Sequence, residues 1–323
     1  CAHFAVAAGM GAGDVKYKEE REMLMKRKRR SREKSEIYIQ RKCSVWRVLC
    51  SVLLLLLAVL IGFPVWVAVT GVFMQQWELT EYLGPVLAGG TGTASWALLP
   101  HAPTLQWVVE LLLDSPQFFV MFWNSMKLAV CILLGQLLFG VPSAWALARF
   151  DFPCRKAVLL LYIVLMLMPF QVLMLPEYLV LNEWHLIDTH AAVILPAIFS
   201  TFPVFIMYRG FRGIPEEILD AARIDGAGDW QVFWRIGMPL GMAGIVSAEL
   251  LSFLDVWNMI EQPMTFLKTK SLWPLSLFLP QIGLEDAGVG FAAAFAMLVP
   301  ALLLFFAGQE YLEQGITAAA LKG

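Results

Sequence analysis

Six long apolar runs dominate the chain, near residues 48–73, 121–148, 157–181, 190–209, 240–260 and 289–309. A helix of about twenty residues rises far enough, at about 1.5 Å each, to cross about 30 Å of hydrocarbon. No water satisfies peptide groups inside a bilayer, so such runs must fold as helices. The expected fold class is all-α, a polytopic membrane protein with six transmembrane helices. Composition agrees: 59% hydrophobic residues, 15% charged and a mean hydropathy of +0.67 are too apolar for a soluble domain.

Orientation follows from the basic residues near the span ends. Lys26 to Arg30, Arg32, Lys34, Arg41, Lys42 and Arg47 precede the first run. Arg149, Arg155 and Lys156 lie between the second and third, and Arg209, Arg212, Arg223 and Arg235 between the fourth and fifth. With six spans all three clusters fall on one side, so both termini are expected in the cytoplasm. Residues 1–47 form a basic N-terminal extension, and residues 48–323 the transmembrane domain. The net charge of -2 hides this asymmetry, since residues 16–47 hold over half of the 24 Lys and Arg. Beside a span, such a stretch reads as an anchor to anionic lipid rather than a nucleic-acid arm, and no nucleic-acid partner is expected. The opposite side carries Trp77, Trp96, Trp107, Trp184 and Trp273, which suit interfacial anchors. The first run is too long for a signal-peptide core and lacks a small-residue cleavage pattern, so it should stay in the membrane.

Chemistry-bearing residues are scattered. The five cysteines and four histidines show no metal-ligand spacing, and neither a metal site nor a disulfide is expected. Gly89-Gly90-Thr91-Gly92-Thr93 is glycine-rich but lacks the Lys of a phosphate-cradling loop. The chain therefore has no nucleotide site, no catalytic residue and no cofactor of its own.

One polar island, residues 216–239, interrupts the apolar pattern on the basic side. Pro215 suits the first turn of a helix, and Glu216 and Glu217 sit where the helix dipole favours negative charge. Gly226 can take the left-handed conformation that stops the helix. A second short helix is expected from about Asp229 to Ile236, with Pro239 interrupting it. Ala221 and Ala222 let a partner backbone come close, while Ile218, Leu219 and Ile224 offer apolar contact. That combination suits a docking knob.

The island resembles the EAA loop of bacterial ABC-importer permeases: Glu-Ala-Ala, three residues, Gly, nine residues, Ile, one residue, Leu-Pro. Here Asp220-Ala221-Ala222, Gly226, Ile236 and Met238-Pro239 keep every spacing, with Asp for Glu and Met for Leu. Ile214-Pro215-Glu216 and Asp225 resemble the carbohydrate-uptake, maltose-type branch. So do Asn124-Ser125, Ala144 to Phe150, Met168-Pro169, Leu175-Pro176, Trp257-Asn258 and the C-terminal segment from Gly315. The resemblance runs from about residue 48 to the end.

It implies a type I importer permease of the bacterial cytoplasmic membrane, moving a sugar or oligosaccharide delivered by an extracytoplasmic solute-binding protein. Its implied partners are a second permease subunit and two ATP-binding subunits, which hold the ATP and Mg. Those subunits would dock at Glu216, Asp220, Ala221, Ala222, Asp225, Gly226, Ile236 and Pro239. The alternative is an ion-coupled secondary transporter with Glu177, Glu249 and Asp255 as coupling groups. Inverted repeats would favour it, and none is visible.

Glu249, Ser252, Asp255, Asn258 and Gln262 are spaced by three, three, three and four residues, a polar stripe along the fifth run. Glu249, Ser252, Asp255, Trp257 and Asn258 are the candidate substrate path, with Trp257 as a stacking surface for a sugar ring. The competing reading is polar glue between helices. Prolines at 64, 142, 169, 176, 196, 203 and 300 are candidate bending points.

Overall fold

A computed structural model of the protein describes residues 47–87, 92, 93, 95–278 and 285–320, with side chains of the last helix to residue 312. The basic extension, apart from Arg47, and most of the Gly89–Thr93 loop lie outside the described residues. The chain divides into two units, up to Trp66 and from Val67 onward. The first holds residues 47–66 of helix α1 (Arg47–Phe73), which expose Val48, Leu53, Leu56 and Leu60 on all sides. A helix apolar all round that buries nothing against its own unit has lipid for a solvent.

The second unit contains α2 (Gln76–Leu87), α3 (Gln106–Leu113), α4 (Pro116–Arg149), α5 (Arg155–Leu167) and α6 (Phe170–Glu183). After these come α7 (His190–Ile198), α8 (Thr201–Arg212), α9 (Glu216–Ile224), α10 (Asp229–Trp257), α11 (Glu261–Phe266) and α12 (Ala287–Ala320). No strand occurs among the described residues. Among the described residues five helical stretches are long and apolar enough to span a bilayer, and a sixth forms if the bent α5–α6 pair is counted as one.

That pair corrects the expected straight third span. Pro169 cannot donate the helical bond and pushes Met168 to an extended conformation (φ −75°, ψ 128°), so α5 and α6 meet at 105°. The fourth span also breaks, between α7 and α8 at Phe199 and Ser200.

Pro239 is the second correction, because it interrupts nothing. The fifth span is one helix of 29 residues starting at Asp229 rather than a short helix followed by a span from 240. A π-helical segment, Phe233–Gly237, immediately precedes the proline, and α4 repeats the arrangement with Gln136–Gly140 ahead of Pro142. A proline leaves the carbonyl four residues earlier without its donor, and the wider turn accommodates that fault inside a continuous helix.

Two cores hold the bundle. At the arginine-rich end α4, α8 and α10 bury Trp145, Met207, Phe211, Phe233 and Ile245 together. The backbones of α8 and α10 touch there: a Cβ added to Gly210 would lie 2.9 Å from the Cα of Gly244. At the opposite end Met74, Leu79, Trp107, Leu111, Phe118 and Leu275 pack with the start of α12. Three of the expected tryptophan anchors are tied inward instead. Trp107 donates to the Met74 carbonyl at 2.6 Å, Trp96 to Thr70 Oγ1 at 3.1 Å, and Trp273 to the Leu267 carbonyl at 2.9 Å. Only Trp77 and Trp184 remain exposed as anchors.

The α6–α7 turn is clasped to the loop after α11. Asp188, at φ 63°, accepts the backbone N–H groups of Lys268 and Thr269 at 2.8 Å each and the Thr269 hydroxyl at 2.6 Å. Those donors, the Thr269 hydroxyl first, hold its carboxyl below the usual Asp range. Because the folded pKa is the lower one, the clasp contributes fully above the unfolded pKa and is lost as pH falls through the folded pKa. Asp188→Ala should therefore speed amide exchange at Lys268 and Thr269 at neutral pH. Asp188→Asn, which tolerates the left-handed backbone and keeps an acceptor, should do so much less. Equal protection in parent and Ala variant would refute the clasp.

Candidate docking loop and polar path

Helix α9 is ordered at both ends by local chemistry. Glu216 and Glu217 occupy its first turn, and Pro215 stands just ahead of it in an extended conformation. Its last turn closes as a Schellman motif: Gly226 N–H donates to the Arg223 carbonyl and Ala227 N–H to the Ala222 carbonyl, each at 3.0 Å. The closure requires the left-handed backbone that Gly226 supplies, at φ +85°. Gln231 then accepts the Gly228 N–H at 3.3 Å and starts α10.

The knob has two faces. Leu219, 2% exposed, plugs into the core of Trp145, Phe211 and Phe233, and Ala222, Ala227 and Ile236 pack behind it. Ile218, Asp220, Ala221, Ile224 and Asp225 face out, with Ile224 85% exposed. The expected docking set is thereby divided. Leu219, Ala222 and Ile236 hold the knob to its own bundle, because a nine-residue helix cannot stand without an apolar seat. Asp220, Ala221, Asp225 and Gly226 stay open, and Pro239 is exposed nearly three helical turns into α10. Arg223 steadies the outer face through Asp220 at 3.1 Å and Asp229 at 3.8 Å. Trp230 and Trp234, one turn apart and both exposed, extend the apolar surface onto α10; this pair carried no signal beyond two tryptophans spaced by four.

The polar stripe is only partly assembled. α10 ends at Trp257, so Asn258 caps it, donating to the Leu254 carbonyl at 2.8 Å, and Gln262 belongs to α11. Trp257 is 2% exposed: it stacks on Phe253 at 5.4 Å, meets Phe122 edge-on and donates to the Met297 carbonyl at 3.0 Å. Its ring is committed to the bundle's core, which removes it as a stacking platform. Glu249 and Ser252 differ. Both carboxylate oxygens and the hydroxyl are buried without a hydrogen-bond partner among the described residues, one turn apart on α10. Asp255 is exposed on this chain inside a span. A carboxylate facing hydrocarbon is costly, about 2.5 kcal/mol or more at the bilayer centre, which favours water or another subunit as its cover.

Fold and site together define a multi-span helical membrane protein with an ordered, two-faced polar knob beside its arginine-rich end. The chain belongs to the family of binding-protein-dependent transport system inner membrane components, whose model matches residues 136–318. It is 31% identical over 228 residues to the arabinooligosaccharides transport system permease protein AraQ of Halalkalibacterium halodurans, covering 69% of this chain and 81% of AraQ. It is 27% identical over 247 residues to the sn-glycerol-3-phosphate transport system permease protein UgpE of Yersinia enterocolitica, covering 76% of this chain and 79% of that one. In fold it matches a chain of a bacterial ABC transporter involved in the import of the acidic polysaccharide alginate, with TM-score 0.70, 20% identity, and 83% and 96% of the two chains covered. The protein is accordingly an ABC-importer permease subunit of the inner membrane, and the ion-coupled transporter reading finds no support.

Proposed function

We propose that the chain forms half of the translocation path for a sugar or oligosaccharide and that an ATP-binding subunit docks on the outer face of α9 from the cytoplasm. A second permease subunit completes the path, a pair of ATP-binding subunits holds ATP and Mg, and an extracytoplasmic binding protein delivers the substrate. The observation that carries the docking is the two-faced knob, seated by Leu219 and offering Ile218, Ala221 and Ile224 outward. The basic residues flanking the knob support a cytoplasmic position for it and for both termini.

A neutral glycan fits the path better than a phosphorylated one. Between Leu240 and Trp257 α10 holds no Lys or Arg to pair with a phosphate, whereas the carboxyl groups of Glu249 and Asp255 and the Ser252 hydroxyl can bond to sugar hydroxyls. The test is uptake into membrane vesicles holding the whole importer and its binding protein, with labelled arabinotriose and sn-glycerol-3-phosphate compared. The sugar should enter, driven by internal ATP and indifferent to collapse of the proton gradient. Preferential uptake of glycerol phosphate would refute the substrate class, and uptake driven by an ion gradient without ATP would refute the mechanism.

The path residues carry their own expected result. Asp255→Asn and Asn258→Ala should leave assembly and binding-protein-stimulated ATP hydrolysis near normal while changing uptake rate or substrate range. Loss of assembly in both, or unaltered transport of every sugar, would make the stripe structural. Sidedness is checked with Ile224→Cys, labelled only from inside, and Trp77→Cys, labelled only from outside.

A further inference from the structure

The last turn of a helix leaves carbonyls without donors, and cations are favoured at that negative end of the dipole. The ends of α4 and α8 answer this need for each other. Arg149, the last residue of α4, sends Nη2 across to the carbonyls of Phe211 at 2.5 Å and Ile214 at 2.6 Å. Arg212, the last residue of α8, returns Nη1 to the Ala148 carbonyl at 3.4 Å. Arg155 locks the α4 side further, with Nε 2.9 Å from the Leu147 carbonyl and Nη2 3.1 Å from that of Ala148.

The position of the exchange matters as much as its bonds. Phe211 and Ile214 flank the turn that launches α9, and Arg149 Nη1 lies 3.9 Å from Glu216, the first residue of α9, which Arg212 also approaches at 3.9 Å. The Arg149 side chain is 4% exposed, with its guanidinium 5.9 Å from the Trp145 ring centre. A buried forked cation thus sits at the junction of a long span, a second span and the docking helix. Nη2 alone reaches both carbonyls of the turn while Nη1 faces Glu216, and a lysine, with a single nitrogen, cannot hold both ends at once.

We propose that Arg149 is a positioning residue for energy coupling: its clasp makes α9, α8 and the end of α4 move as one body when the docked ATPase moves the knob. The proposal rests on the docking reading above. If it holds, loosening the clasp leaves the ATPase bound and turning over but disconnects it from the membrane path.

The experiment uses the intact importer in lipid nanodiscs, with Arg149→Gln and Arg149→Lys and, as control, Asp151→Asn, which loses a surface pair with Arg155 and no contact to α8. One spin label is placed on Cys154, all other cysteines replaced by serine, and one on Glu217→Cys, bracketing the clasp. Parent and control should give one narrow distance distribution without nucleotide and with ATP and vanadate. Arg149→Gln should broaden it, retain the ATPase on co-purification and keep basal ATP hydrolysis. Stimulation by binding protein loaded with arabinotriose should fall about tenfold, within the usual range of coupling energies. Arg149→Lys should be intermediate, and it decides the question by the same readouts if the Gln variant does not accumulate. Full stimulation with a narrow distribution in the variants overturns the proposal. So does loss of the ATPase from the variants alone, which would make the arginine a structural support. Failure of the parent itself to retain the ATPase would instead overturn the docking reading.

Discussion

Gly226→Val should lower ATP-driven uptake at least about tenfold while the protein still inserts in the membrane, because a β-branched residue is a genuine outlier in the left-handed region. Space is not the obstacle, since nothing lies within 4 Å of a Cβ built on Gly226. The obstacle is the backbone angle of +85°, which costs an L-residue about 1–2 kcal/mol and which both Schellman hydrogen bonds require. If the angle relaxes, α9 turns relative to α10 and the outward face of Ile218, Ala221 and Ile224 is no longer presented in register. Gly226→Asn, whose side chain tolerates this region, should keep most of the activity. Gly228→Ala should be silent, because Gly228 has φ −74° and nothing within 4 Å of its Cβ position. Uptake and co-purification of the ATPase measure all three. A Val variant that transports and assembles like the parent would show that the knob does not need its closed turn.

That contrast also marks what the chain's residues disclose. Gly226 was legible because a helix stop needs one residue at positive φ, and the motif spacing put glycine there. The inward face of the knob was not: Leu219 and Ile224 are equally apolar in sequence, yet one is buried and the other open. Only the position of Trp145 and Phe233 on neighbouring helices decides between them. The spans were legible as apolar runs, since length and hydropathy follow directly from the bilayer. Their internal breaks were not, because Pro169 bends its span by 105° whereas Pro239 and Pro142 sit in continuous helices. A π segment precedes each of these two, a feature of backbone hydrogen bonding that no residue type announces, while Pro300 is carried inside α12 without one. The polar stripe was legible only in part for a similar reason. Regular spacing implied one helix through Gln262, but α10 ends at Trp257, and the tryptophan offered for sugar stacking is spent on Phe122, Phe253 and Met297. The Arg149 clasp had no sequence signal at all, because it joins side chains to carbonyls 62 and 65 residues away.

Gly210→Leu is expected to destroy the fold of the arginine-rich end. Small residues let membrane helices approach until backbones touch, and α8 and α10 use Gly210 and Gly244 in this way, while Gly241 makes room for the Phe211 ring. A Cβ on Gly210 would lie 2.9 Å from the Gly244 Cα, and one on Gly244 would lie 2.8 Å from the Gly210 Cα. Neither contact is relieved by rotating a side chain, so the helices must separate. Overpacking of a core costs about 1–3 kcal/mol, and a leucine facing backbone should lie at or above the top of that range. Separation also moves Phe211, whose carbonyl binds Arg149 and whose ring packs on Trp145, so the seat of α9 is lost with the crossing. Thermal unfolding in detergent should show a much lower midpoint for Gly210→Leu and for Gly244→Leu, with loss of ATPase co-purification in both. Gly62→Leu is the matched control, since nothing lies within 4 Å of its Cβ position and the added side chain meets lipid. Gly140→Ala should cost little, because its nearest neighbour is a Val204 side-chain atom at 3.4 Å. Parent-like melting of both leucine variants at the crossing would mean that α8 and α10 do not touch backbone to backbone.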